Sequence, residues 1–259
     1  MSDLVKNAPE VWIKDLPRPT PNGHKYDRGH TVILGSDAYT GATRLAAEAC
    51  SRIGSGLVSV LSAPQAQTYR QTLPADIMVS DAGLDTLNRV NTLLAGPGGC
   101  SAAQADTVIA TQSEVKLVLD ADAIRLWPNV KDRDVIVTPH EGEFSRYFGA
   151  LTGNEATRAA DAAKQSGAVI ALKRPNTIVA APDGRIVENH TASPYLAKAG
   201  SGDVLAGLIA GLVAQGMPSF AAACAGVWIH GAVSERIGPG LVPQDMFPEL
   251  RVILAELLL

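Results

Sequence analysis

The chain has 259 residues, 46% hydrophobic and 19% charged, with 24 Gly and 16 Pro; this length suits one α/β domain, and the composition excludes a disordered or collagen-like chain. Lys and Arg number 22 against 26 Asp and Glu, a formal net charge of −4, so no global field draws in nucleic acid or anionic lipid. Cys50, Cys100 and Cys224 stand far apart with no C-x-x-C, which argues against a disulfide framework or a cysteine zinc site and reads each as a small buried residue.

Residues 1–17 mix charges with isolated apolar residues and lack the continuous apolar stretch of a secretory signal. The longest apolar runs, Val204 to Ala214 and Phe220 to Ile229, fall short of the roughly 20 residues that cross a bilayer. A cytoplasmic protein with no membrane partner is expected. The proline-rich Leu16 to Pro21 is expected to mark where an N-terminal arm joins a sheet. Short β-rich runs follow at Thr31 to Leu34, Leu57 to Leu61, Thr92 to Ala95, Lys116 to Leu119, Val135 to Val137 and Val169 to Leu172. Most are continuously apolar, as burial on both faces requires, and helical segments such as Thr43 to Ile53 and Glu155 to Gln165 lie between them. Pro182-Asp183-Gly184 supplies the turn of a hairpin spanning Thr177 to Glu188. Three helices close the chain: Asp203 to Gln215, Ser219 to Arg236 and Asp245 to Leu257. With no repeat and no linker, residues 1–259 read as one α/β three-layer sandwich, a mostly parallel sheet flanked by helices on both faces.

Ala199-Gly200-Ser201-Gly202-Asp203 runs directly into an apolar helix. Two glycines there let backbone N–H groups converge on an anion, and the helix dipole adds about half a positive charge. Asp203, in the first helical turn, is placed to act as a general base; the plainer alternative is a tight turn followed by a helix-stabilising Asp. Asp120 and Asp122 end an apolar strand, either projecting together from the carboxyl edge of the sheet or starting a helix. His140, in Thr138-Pro139-His140-Glu141-Gly142-Glu143, is either a neutral hydrogen-bonding group for a polar substrate or a helix cap. Gly96-Pro97-Gly98-Gly99 carries no side chain to block a ligand, and Lys173-Arg174-Pro175-Asn176-Thr177 puts two cations beside a polar turn. No Walker sequence and no G-x-G-x-x-G is present, which disfavours P-loop and Rossmann sites.

In order, Lys25-Tyr26-Asp27-Arg28-Gly29-His30, Thr40-Gly41-Ala42, Gly96-Pro97-Gly98, Leu119-Asp120-Ala121-Asp122-Ala123, the Thr138 to Glu143 stretch and Gly200 to Gly207 resemble the ADP/ATP-dependent NAD(P)H-hydrate dehydratases. The resemblance covers roughly Lys25 to Gly231. It implies a ribokinase-like fold and repair of hydrated NADH or NADPH, with ADP or ATP as co-substrate and Mg2+. It also implies Asp203 as the catalytic residue and an anion hole at Gly200, Ser201 and Gly202. Substrate contacts would fall at Ala42, Gly98, His140 and Asp203, and nucleotide contacts at Lys173, Arg174, Pro175, Asn176, Thr177 and Gly202. A homo-oligomer, a tetramer, is a further expectation. Arg174 stands where the family commonly has Gly. Only about 25 residues precede the first motif, so the epimerase activity of bifunctional relatives is expected to be absent. Two alternatives share the cradle: a small-molecule kinase of the same fold acting on a hydroxymethylpyrimidine-type substrate, and a catalytically silent nucleotide-binding protein.

Overall fold

Apolar runs with no polar face to show solvent become strands covered on both sides. The computed structural model describes residues 4–259. Its strands are β1 (Val5–Lys6), β2 (His30–Leu34), β3 (Leu57–Leu61), β4 (Met78–Ser80), β5 (Thr92–Ala95), β6 (Lys116–Leu119), β7 (Val135–Val137), β8 (Val169–Leu172), β9 (Thr177–Ala180) and β10 (Ile186–Asn189). They form one sheet in the order β1-β10-β9-β8-β7-β6-β5-β2-β3-β4. All are parallel except β9, which pairs antiparallel with β8 and β10 as the second arm of a turn and the first of the expected hairpin.

The helices are α1 (Thr40–Ile53), α2 (Ala66–Thr72), α3 (Ala102–Ala110), α4 (Glu141–Phe148), α5 (Glu155–Ser166), α6 (Ser201–Ala214), α7 (Ser219–Ile237) and α8 (Met246–Leu258). Alternate residues of each strand serve opposite layers. Ile33, Leu94, Val118 and Ile136 pack with α1, α6, α7 and α8, whereas Val32, Leu93, Leu117 and Val137 pack with α3, α4 and α5. The fold is therefore the expected three-layer sandwich.

α6 explains much of the architecture. Val204 through Ala214 are all buried, as a helix apolar all round must be, and the helix packs on the sheet flanked by α1 and α7. Gly207 makes this possible: a Cβ there would sit 2.2 Å from the Ala46 carbonyl oxygen of α1.

Three expectations need correction. The N-terminal arm joins the sheet at β1 beside β10, before the proline-rich segment, which instead runs along α8, with Arg18 Nη1 donating to the Leu258 carbonyl at 2.7 Å. Helix α1 begins at Thr40 and α6 at Ser201, two or three residues earlier than the apolar pattern implied. Cys50 and Cys224 are buried, with burial pushing each thiol up to about 12, but Cys100 is only half-buried. Of the two readings of Asp120 and Asp122, the helix start is the one realised: Ala121 to Asn129 form a 3-10 helix with Asp120 at its N-cap position and Asp122 in its first turn.

Candidate active site

The carboxyl ends of β8, β7, β6, β5 and β2 are neighbours in the sheet, and each delivers one of the singled-out segments to the same edge, where ligands of α/β folds bind. Facing them is the start of α6. Gly200 adopts φ +95°, ψ −18°, a left-handed conformation that glycine adopts without penalty. Ser201 is held from three sides: its amide donates to Lys198 O at 3.2 Å, its hydroxyl to Leu196 O at 2.7 Å, and its carbonyl lies 2.9 Å from His230 Nε2 on α7. Burial pushes His230 down to about 4, so the ring is neutral and Nε2–H is the donor. Sequence reasoning missed His230; a lone histidine in an otherwise small and apolar helix was the available signal. The amide of Val204 bonds Gly200 O, whereas those of Gly202 and Asp203 have no protein acceptor among the described residues. The Gly200 amide has none either, so of the expected anion hole Gly200 and Gly202 keep free N–H groups at the positive end of a helix dipole, joined by Asp203, while the Ser201 amide is spent on Lys198 O.

Asp203 is half-buried at this edge. Burial first, then the charge of Asp120, push its carboxyl up to about 7, while Lys173 pulls the other way. A carboxyl poised near neutrality suits a general base. The approach of Gly207 to Ala46 and of Gly211 to Cys50 sets the register of α6 on α1; carried back one turn, it puts Ala42 alongside Asp203. Gly98 joins them, since Ser36 Oγ donates to its carbonyl at 2.7 Å and Thr43 Oγ1 to that of Pro97 at 3.2 Å.

His140 caps α4. Its Nδ1 accepts from the amides of Gly142 and Glu143 at 3.0 and 3.3 Å, while Glu143 Oε2 accepts from the His140 amide at 2.8 Å. The capping alternative is therefore realised, yet 60% of the ring side chain remains exposed, leaving it open to a substrate. Lys173 N donates to Pro139 O at 2.7 Å, which brings the end of β8 against this cap. The Lys173 ammonium turns inward to Asp120 Oδ1 at 2.8 Å, with Glu143 Oε2 at 3.9 Å. Burial opposes its charge, but Asp120, Glu143 and Asp203 outweigh that and hold its pKa above the ordinary value. Arg174 instead pairs with Glu141 at 2.6 Å and Glu155 at 3.0 Å. Arg158 shares Glu141, and Arg158 followed by Arg174 keeps that carboxyl below its ordinary range. Pro175 and Asn176 form an exposed turn, and Thr177 Oγ1 donates back to Arg174 O at 3.2 Å.

A three-layer sandwich around a mostly parallel sheet, with a helix start that offers free amides facing the carboxyl edge, defines a ribokinase-like α/β protein. The solved ADP/ATP-dependent NAD(P)H-hydrate dehydratase of Bacillus subtilis, co-crystallized with ATP/Mg2+, superposes with a TM-score of 0.85 at 26% identity, covering 99% of this chain and 100% of that one. Residues 30–246 match the family model for NAD(P)H-hydrate dehydratase, and the chain belongs to that family. It is 33% identical to the ADP-dependent (S)-NAD(P)H-hydrate dehydratase of Neisseria meningitidis, over 89% of this chain and 86% of that protein. It is 32% identical to the bifunctional NAD(P)H-hydrate repair enzyme Nnr of Coxiella burnetii, over 92% of this chain and 53% of that protein. The chain thus spans about half the length of the bifunctional relatives it matches.

Proposed function

We propose that residues 1–259 act as one dehydratase domain that returns hydrated NADH or NADPH to the reduced dinucleotide, using ADP or ATP to make the hydroxyl a leaving group. The observation that carries this reading is Asp203, a carboxyl poised near neutral pH beside two unbonded amides at a helix start. Hydroxide leaves poorly and phosphate leaves well. Asp203 takes the proton from the hydroxyl on carbon 6 of the hydrated ring as that oxygen attacks the terminal phosphorus. The bond from phosphorus to the departing AMP or ADP breaks. The Gly202 and Asp203 amides face the charge on the transferring group. The ring-nitrogen lone pair then expels phosphate, and loss of a proton from carbon 5 restores the double bond.

Ala42, Gly98 and His140 line the substrate side in this reading. With the Nδ1 of His140 taken by two amides, Nε2 is the ring atom left for a substrate, 3.3 Å from Glu143 Oε1. Lys173 lies on the nucleotide side with the Arg174 to Thr177 turn. No cluster of three metal-ligating side chains occurs among the described residues. Glu143, 3.9 Å from the Lys173 ammonium, is the carboxylate that would help hold Mg2+ brought in with the nucleotide. When bound, the ion would neutralise phosphate charge.

No described helix is long and apolar enough to cross a membrane; separately, we read the protein as cytoplasmic, acting on a small molecule without nucleic-acid or membrane partners. We read it as a homo-oligomer, a tetramer. The test of function is incubation with hydrated NADH or NADPH, Mg2+ and either nucleotide. Recovery of reduced-nicotinamide absorbance with stoichiometric release of phosphate is expected. A phosphorylated product that accumulates would instead favour a kinase, and no nucleotide consumption a silent binder.

A further inference from the structure

We propose that Asp120 is a positioning residue for phosphoryl transfer: it holds the Lys173 ammonium beside Gly202, where the ammonium and the free amides of α6 meet the same phosphate. The proposal rests on the reading of the site given above.

An Asp that follows a strand and precedes a helix ordinarily caps it. Asp120 does not: it sits at that position but makes no side-chain cap bond. Its buried carboxylate accepts instead from Thr138 Oγ1 at 2.6 Å and Lys173 Nζ at 2.8 Å, both on Oδ1. The next residue, Ala121, takes φ +46°, a left-handed conformation that is uncommon for a residue other than glycine and persists only where its surroundings enforce it.

The location of the ammonium is itself informative. Lys173 Nζ would lie 3.5 Å from a Cβ on Gly202, so a cation sits against the positive end of α6, where a helix dipole disfavours it. An arrangement that places a lysine and a helix N-terminus together is repulsive until an anion arrives between them. Asp120 offsets that repulsion. Glu143 is a weaker partner at 3.9 Å, because its oxygens already serve the His140 amide at 2.8 Å and lie 3.3 Å from His140 Nε2. Lysine carries a long flexible stem and a single rotatable ammonium, so without Asp120 nothing else at hydrogen-bond distance would keep it there. Asp120 reaches the phosphate through Lys173; because its charge also bears on Asp203, ADP binding rather than kcat is the readout that isolates this link.

A double-mutant cycle tests this directly. Asp120→Ala and Lys173→Met should each lower kcat for dehydration and weaken ADP binding by roughly 10- to 100-fold, the range of one charge-assisted contact. The double variant should bind ADP no worse than Lys173→Met alone. Asp120→Asn, which still accepts from Lys173 and Thr138, should recover part of the loss, and it completes the cycle if the alanine variant does not fold. Thermal melts of each variant separate misfolding from misplacement. Losses of ADP affinity that multiply in the double variant would overturn the proposal, because Asp120 would then act independently of Lys173; so would an ADP dissociation constant equal in all four proteins. Calorimetry with ADP needs no turnover. If the wild-type protein fails to dehydrate the hydrate, the functional reading falls while the cycle on ADP still judges Asp120.

Discussion

Asp203→Asn should make the protein both less active and more stable, with the gain appearing only as pH rises. The carboxyl has an ordinary value of 3.8 and stands at about 7 in the fold. Below 3.8 the folded and unfolded chains both carry the proton and the residue contributes no pH dependence. Between the two values the unfolded chain has ionised while the folded one still holds the proton, so stability falls with increasing pH, and it levels off above about 7. At 1.36 kcal/mol for each tenfold, the full interval corresponds to roughly 4 kcal/mol; because Asp203 is only half-buried, screening by solvent brings this to about 1–3 kcal/mol. Asparagine cannot ionise, so the variant escapes the loss. For a chain of this size Tm should exceed that of the wild type by about 2–10 °C at pH 8.5, and the gap should narrow toward pH 5. Scanning calorimetry across that range reads the effect. The same substitution should cut turnover by roughly 10²–10⁴-fold with ADP binding retained. A Tm gap that is equal at both pH values, or turnover near normal, would refute the assignment of Asp203 as a buried base.

Gly207→Ala puts a methyl 2.2 Å from a backbone oxygen and should destabilise the fold by roughly 1–3 kcal/mol, seen as a lower midpoint in urea. Arg174→Ala should leave ADP affinity within about twofold while lowering stability slightly, since its guanidinium is engaged by Glu141 and Glu155 and surface ion pairs contribute about 0–1 kcal/mol; calorimetric titration checks it. Sedimentation at micromolar concentration should show an oligomer. A monomer would mean that α8, whose Met246, Phe247, Leu250 and Ile253 are buried within the chain, spends its apolar surface entirely on intramolecular packing.

The central strands were legible because their burial on both faces leaves unbroken apolar runs. Leu57–Leu61, Thr92–Ala95, Lys116–Leu119, Val135–Val137 and Val169–Leu172 end where the pattern ends. The edge strands β1 and β4 were not: two or three residues that include Lys6 and Ser80 carry no period to detect. Gly41 hid the first turn of α1, since glycine disfavours a helix interior but tolerates its start. At the site, Asp203 and the two glycines were readable because the cradle is local in sequence. The destination of Lys173 was not, because its partner Asp120 is 53 residues away and the pairing depends on β6 and β8 flanking β7.

A helix buried on every side cannot tilt or slide without parting two helix interfaces and a sheet face. In the proposed transfer the first-turn amides of α6 would therefore keep their aim throughout, and no dipole would have to turn as negative charge grows on the phosphoryl group. Accommodation of the incoming molecules falls to segments that face water, such as Pro175–Asn176 and residues 37–39 ahead of α1. In rate terms, the proposed cradle would work through a small reorganisation energy rather than an unusually strong attraction, and the stiffness that Gly207 permits 6 Å or so along the same helix (about four residues at 1.5 Å each) would keep that energy small.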